Sequence, residues 1–112
     1  MSIRLYHAPQ CGTSRAVLEI LRASGIEPEI IAYLKTPPSV ADLTALAHKL
    51  GGAADLLRRK EALVATLGLE DADDAKIIAA IAQHPILLNR PIVVTPKAAK
   101  VCRPADLVRD LL

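Results

Sequence analysis

The chain has no phenylalanine and no tryptophan, and its only aromatic residues are Tyr6 and Tyr33. A reader of single-stranded nucleic acid stacks bases on rings, and this sequence has almost none to offer. An excess of one charge sign is missing too: 14 Lys and Arg stand against 12 Asp and Glu, a net +2 that is too mild to draw a polyanionic partner. No apolar run approaches the roughly 20 residues of a membrane span, and the apolar stretch near the N-terminus is too short for a signal sequence. The expectation is a cytoplasmic protein with neither nucleic acid nor membrane as partner. Cysteine is scarce, with Cys11 and Cys102 alone. A reducing compartment favours two free thiols. Neither has a second cysteine at ligand spacing, and His7, His48 and His84 form no cluster, so no metal is expected.

What is present is aliphatic. Apolar residues make up 52% of 112 residues, enough for one domain over 1–112 with a core that needs neither disulfide nor metal. Nothing in the sequence demands more than a monomer. Residues 2–7 read as a short buried strand. Pro9 interrupts it, and Gly12-Thr13-Ser14 opens a helix to about Ala23, with Val17, Ile20 and Leu21 on one face and Gly25 behind its end. Residues 29–33 read as a second strand, so strand, helix and strand form a βαβ unit with a parallel pair.

Pro37-Pro38 breaks the chain, and Ser39 with Asp42 makes a capping box before Leu43, Leu46, Ala47 and Leu50 at helical spacing. Gly51-Gly52 closes that helix. Residues 53–57 and 60–67 suit short helices, and residues 73–83 another, stopped by Pro85. Residues 92–95 and 98–103 then read as a hairpin across Pro96-Lys97. Pro104 is placed to start a last helix through about Leu111, with Leu107, Val108 and Leu111 facing inward. The order is βαβ, a block of helices over about 39–84, then ββα. That pattern is an α/β, thioredoxin-like fold: a mixed four-stranded sheet with an inserted helical part.

Cys11 stands where the first strand gives way to the first helix. The free N–H groups and positive dipole end of a helix favour thiolate over thiol, and the same N–H groups can hold an oxyanion against the sulfur. The competing reading is a buried, inert thiol; the junction and the glycine that follows argue against it. Cys11-Gly12-Thr13-Ser14 is C-x-x-S, so the place of a resolving thiol is taken by Ser14. Resolution must come from Cys102 or from an external thiol such as glutathione. Arg15, Arg58, Arg90 and Arg103 lie near element ends, where forked guanidinium groups can hold a tetrahedral oxyanion, although each alone is as readily a solvated surface charge. His7, four residues before Cys11, would lower the thiol pKa as imidazolium or relay a proton when neutral, or simply bond to backbone. His84 reads as a helix C-terminal group and Cys102 as core.

Several stretches together resemble the bacterial, glutaredoxin-linked arsenate reductase (ArsC) family. They are Tyr6-His7 with Cys11-Gly12-Thr13-Ser14-Arg15, Tyr33-Leu34-Lys35-Thr36-Pro37-Pro38, Leu56-Leu57-Arg58, residues 83–96 with Asn89-Arg90-Pro91-Ile92, and Cys102-Arg103-Pro104. The resemblance runs nearly end to end and implies a thioredoxin-like fold with an inserted helical part. It also implies that Cys11 attacks arsenate to form a thiol–arsenate adduct. Arg58, Arg90 and Arg103 would hold the oxyanion, His7 would tune the thiol, and the peptide before Pro91 would be cis. Glutathione as co-substrate and glutaredoxin would then release arsenite, with no bound cofactor. The chain departs from the family's pattern at Ala8, often Asn, and at Arg59-Lys60. Two other readings stand beside it: a glutathione-dependent thiol/disulfide reductase of the same fold without arsenate activity, and a polymerase-binding redox regulator, which would typically carry C-x-x-C.

Overall fold

The computed structural model describes residues 2–112. These divide into two compact units: residues up to Thr36 together with Arg90–Leu112, and Pro37–Asn89.

The first unit is built on a four-stranded mixed sheet, the α/β, thioredoxin-like arrangement expected from the element order. Strand β1 (Arg4–Tyr6) leads into helix α1 (Gly12–Ala23) and strand β2 (Glu29–Ile31); β3 (Ile92–Val94) and β4 (Ala99–Val101) form the hairpin. The strand order is β2-β1-β3-β4. Leu5 pairs with Ile30 in a parallel ladder and with Val93 in an antiparallel one. The hairpin turn is pinned by Thr95, whose N–H donates to the Ala98 carbonyl at 2.8 Å while its hydroxyl accepts from the Ala98 N–H at 3.0 Å. Pro96 supplies the fixed φ that such a turn uses.

Ile3, Leu5, Val17, Leu21, Val93, Cys102 and Val108 make one buried cluster between sheet and helix. Fully burying a Leu or Ile side chain stabilises by about 1.5–3 kcal/mol, so this cluster anchors α1 against the sheet through Val17 and Leu21.

Two expectations need correction, and one feature is new. Both β1 and β2 are shorter than the apolar runs suggest. After Ile31 the chain turns: Tyr33 N–H donates back to Ile31 O, and Lys35 and Thr36 both donate to Ala32 O, each at 2.9 Å. The last helix is a 3₁₀ segment, Ala105–Leu111, and Pro104 precedes it in extended conformation at its N-cap. Seven residues with i→i+3 bonds such as Leu107 N–H to Pro104 O suffice to bury Val108, with Leu107 and Leu111 half-buried. Finally, Arg103-Pro104 is cis as well as Arg90-Pro91, which no feature of the sequence signalled.

The second unit is helical. Helix α2 (Val40–Leu50) opens on the Ser39–Asp42 capping box, with both reciprocal hydrogen bonds formed, and ends on Gly51 in the left-handed region at φ 84°. A 3₁₀ turn (Ala54–Leu56), α3 (Ala62–Thr66) and α4 (Asp74–Gln83) follow. A further 3₁₀ turn, Pro85–Leu87, continues where α4 was expected simply to stop. Leu43, Leu46, Ile77 and Ile81 are buried where α2 meets α4. No helix among the described residues is long and apolar enough to cross a membrane.

Candidate active site

Cys11 is the N-cap of α1, with φ −89° and ψ 119°. The loop ahead of it is closed by its own backbone: Cys11 N–H donates to Ala8 O at 2.9 Å, and Cys11 O accepts the first helical bond from Arg15 at 3.0 Å. The sulfur is half-buried. Burial by itself raises the thiol pKa, but the Ser14 amide, the Arg103 guanidinium and the Thr13 amide favour the thiolate, and the net effect lowers the pKa below the ordinary cysteine value. The helix-start position and the lowered pKa both point away from the inert-thiol reading.

Arg103 is the cation at the sulfur. Its Nη1 lies 3.6 Å from Cys11 Sγ and donates to the Arg90 carbonyl at 2.9 Å. That tether aims the guanidinium, since the carbonyl belongs to a residue locked into the start of β3. Arg90 itself is buried, its guanidinium carbon 5.5 Å from the centre of the buried Tyr33 ring. A ring face is a favourable partner for a desolvated cation. Nothing in the one-dimensional pattern pairs these two residues, because their meeting depends on the sheet register; Tyr33 was missed for that reason. Pro91, cis to Arg90, leads into β3 and its carbonyl accepts from Cys102 N–H at 2.9 Å.

His7 and Ser14 are both buried, and His7 Nδ1 is 2.7 Å from the Ser14 hydroxyl, which also accepts from Ala8 N–H at 3.1 Å. Burial first, then the positive charge of Arg22 and Arg15, lowers the His7 pKa from 6.5, so the ring is neutral at pH 7. An imidazolium charge is thus not what favours the Cys11 thiolate. Arg15 is exposed and donates to the Pro9 carbonyl at 2.8 Å, bracing the same loop. Gly12 has ordinary helical backbone, and a Cβ there would only touch Arg15 at 3.7 Å. No backbone demand calls for glycine here.

Cys102 belongs to the core: it is fully buried, and burial pushes its thiol up to about 11. Arg58 lies in the second unit. Its N–H donates to Leu87 O at 2.7 Å beside the Leu57–Leu88 bridge, and its Nε pairs with Glu61 at 3.5 Å. The adjacent Arg59 is exposed and turns to the Glu70 carbonyl. Among the described residues no group of three or more His, Cys, Asp or Glu is arranged to hold a metal ion.

Known proteins resemble the chain over nearly its whole length. The model of the ArsC family matches residues 6–111. An arsenate reductase of Escherichia coli is 48% identical over 114 residues, covering 99% of this chain and 81% of that protein. One of Rhizobium meliloti is 44% identical, over 100% of this chain and 82% of that protein. Among solved structures, an arsenate reductase from Vibrio cholerae superposes with a TM-score of 0.93 at 40% identity, covering 100% of this chain and 98% of that one. A lone C-x-x-S thiol on a thioredoxin-like sheet, with a nearly full-length match to the family model, leads to one conclusion: the chain belongs to the ArsC family.

Proposed function

We propose that the chain is an arsenate reductase that uses Cys11 as its nucleophile. The thiolate forms an S–As bond while one As–O bond breaks, the departing oxygen leaving as water once protonated. Arsenic is still As(V) at that point. Glutathione then joins arsenic through its sulfur, a second oxygen leaving as water. A glutaredoxin thiolate attacks that sulfur, so the S–As bond breaks with its electron pair left on arsenic, giving As(III) and a glutathione–glutaredoxin mixed disulfide. Water cleaves the Cys11 S–As(III) bond to release arsenite and the free Cys11 thiol. Arg103 and Arg90 hold the oxyanion where negative charge gathers, a contribution that commonly dominates such reactions. The resemblance names Arg58 as a third arginine in that role. The reading needs no bound cofactor, takes glutathione as co-substrate, and assigns the reaction to a monomer in the cytoplasm.

The observation that carries this reading is a thiol of lowered pKa at a helix start with the Arg103 guanidinium 3.6 Å from its sulfur. The similarity to proteins named arsenate reductase supports arsenate as the oxyanion. The test is arsenite production from arsenate with glutathione and glutaredoxin, wild type against Cys11→Ser. No excess over the variant sinks the proposal.

A further inference from the structure

Ser14 occupies the place where a dithiol reductase keeps its second cysteine, yet its hydroxyl faces away from redox chemistry. The oxygen is fully buried and committed twice, to the Ala8 N–H at 3.1 Å and to His7 Nδ1 at 2.7 Å. Ala8 in turn accepts from Cys11 N–H at 2.9 Å. One side chain on the first turn of α1 therefore grips the loop that delivers Cys11, which is itself the N-cap of that helix. Ala8 is buried, so its N–H has no bulk water to turn to if that oxygen is lost.

We infer that Ser14 is a positioning residue for Cys11: its hydroxyl clamps Ala8 and His7 to the helix start, and so fixes the sulfur at the N-cap of α1 beside Arg103. His7, neutral and hydrogen-bonded to that hydroxyl, is the outer half of the clamp. The inference rests on Cys11 being the reactive thiol and deepens the account of that site.

The experiment follows the pH dependence of iodoacetamide alkylation at Cys11 together with amide hydrogen exchange at Ala8, in wild type, Ser14→Ala and Ser14→Thr. Alanine is the best helix former, so Ser14→Ala keeps α1; threonine restores the hydroxyl. Ser14→Ala is expected to speed exchange at Ala8 and to raise the apparent thiol pKa, lowering the alkylation rate at pH 6 by about 3- to 10-fold, where tenfold corresponds to one pKa unit. Ser14→Thr is expected within about twofold of wild type. The inference is overturned if Ser14→Ala lowers thermal stability but leaves the alkylation profile unmoved, or if Ser14→Thr shifts it as far as alanine does. Alkylation reads the thiol without arsenate, so a chain inactive on arsenate that still shows the shift would sink the reductase reading and leave this one standing.

Discussion

Arg103 reaches the Cys11 sulfur with the same nitrogen that it donates to the Arg90 carbonyl, at 3.6 Å and 2.9 Å respectively. The guanidinium is on the exposed side of the molecule, but it is not a free surface charge. Two residues 92 positions apart are joined because the β3–β4 hairpin returns the chain to the start of α1. The arrangement separates two contributions to thiolate stability: fixed amides of the helix and one steerable cation.

Removing the cation tests its share. Arg103→Ala is expected to slow Cys11 alkylation at pH 6 by about threefold through a higher thiol pKa, and Arg103→Lys to recover part of that loss. Arsenate turnover should suffer more in the lysine variant than alkylation does, because a lysine cannot fork onto an oxyanion. Equal losses in both assays would reduce Arg103 to a structural role.

The two thiols should separate cleanly in a labelling experiment. With Cys11 lowered and Cys102 pushed up to about 11 inside the core, one equivalent of alkylating agent at pH 7.5 should mark Cys11 alone, with Cys102 labelled only after unfolding. Mass mapping of the modified peptides checks this. Cys102→Ala is expected to cost about 1 kcal/mol of stability from lost core packing and to leave arsenate turnover intact; loss of turnover in a folded Cys102→Ala chain would place that thiol in the cycle.

His7 makes stability depend on pH in a stated direction. Its folded pKa is lowered from 6.5, so below pH 6.5 the unfolded chain binds a proton that the folded chain resists. Stability therefore falls as pH drops from 6.5 toward the lowered value and is regained above it. Urea unfolding at pH 7.5 and pH 5.5 should show a larger loss for wild type than for His7→Gln. Identical losses would mean that the ring titrates alike in both states.

Tyr33 and Arg90 offer a second pairing to probe. Tyr33→Phe keeps the ring face and is expected to be nearly neutral for arsenate binding. Tyr33→Leu removes it, with an expected stability loss of about 2 kcal/mol from the cation–ring attraction and packing together. If Arg90 serves the oxyanion, KM for arsenate should rise in Tyr33→Leu while alkylation of Cys11 stays unchanged. A KM unaffected by leucine would confine Tyr33 to the core.

Local signals were legible and tertiary ones were not. Ser39 and Asp42 announce their helix because the capping box is a contact within four residues, and the structure forms both of its bonds. The hairpin turn at Pro96-Lys97 and the thiol at the start of α1 are local in the same sense. Strand ends were misjudged because Ile31 and Tyr33 have equal apolar character, and only the turn around Ala32 decides which is in the ladder. The apolar spacing of the last helix suits α and 3₁₀ alike, and the seven-residue segment settles into 3₁₀ bonding. Arg103 was singled out by its resemblance to the family, while the tether to Arg90 and the grip of Ser14 on Ala8 are matters of register that no spacing rule encodes.

Cys102, sealed in the core with its thiol protonated, leaves the chain exposed to a hazard that a dithiol protein escapes. Peroxide attacks thiolates first, so Cys11 would be the first residue taken to sulfenic acid. With Ser14 beside it and Cys102 out of reach as a thiolate, no neighbour condenses with that acid. A thiol arriving from solution can cap it before further oxidation makes the damage permanent. A buried, protonated Cys102 thus leaves the oxidised Cys11 to thiols from outside the chain for its repair.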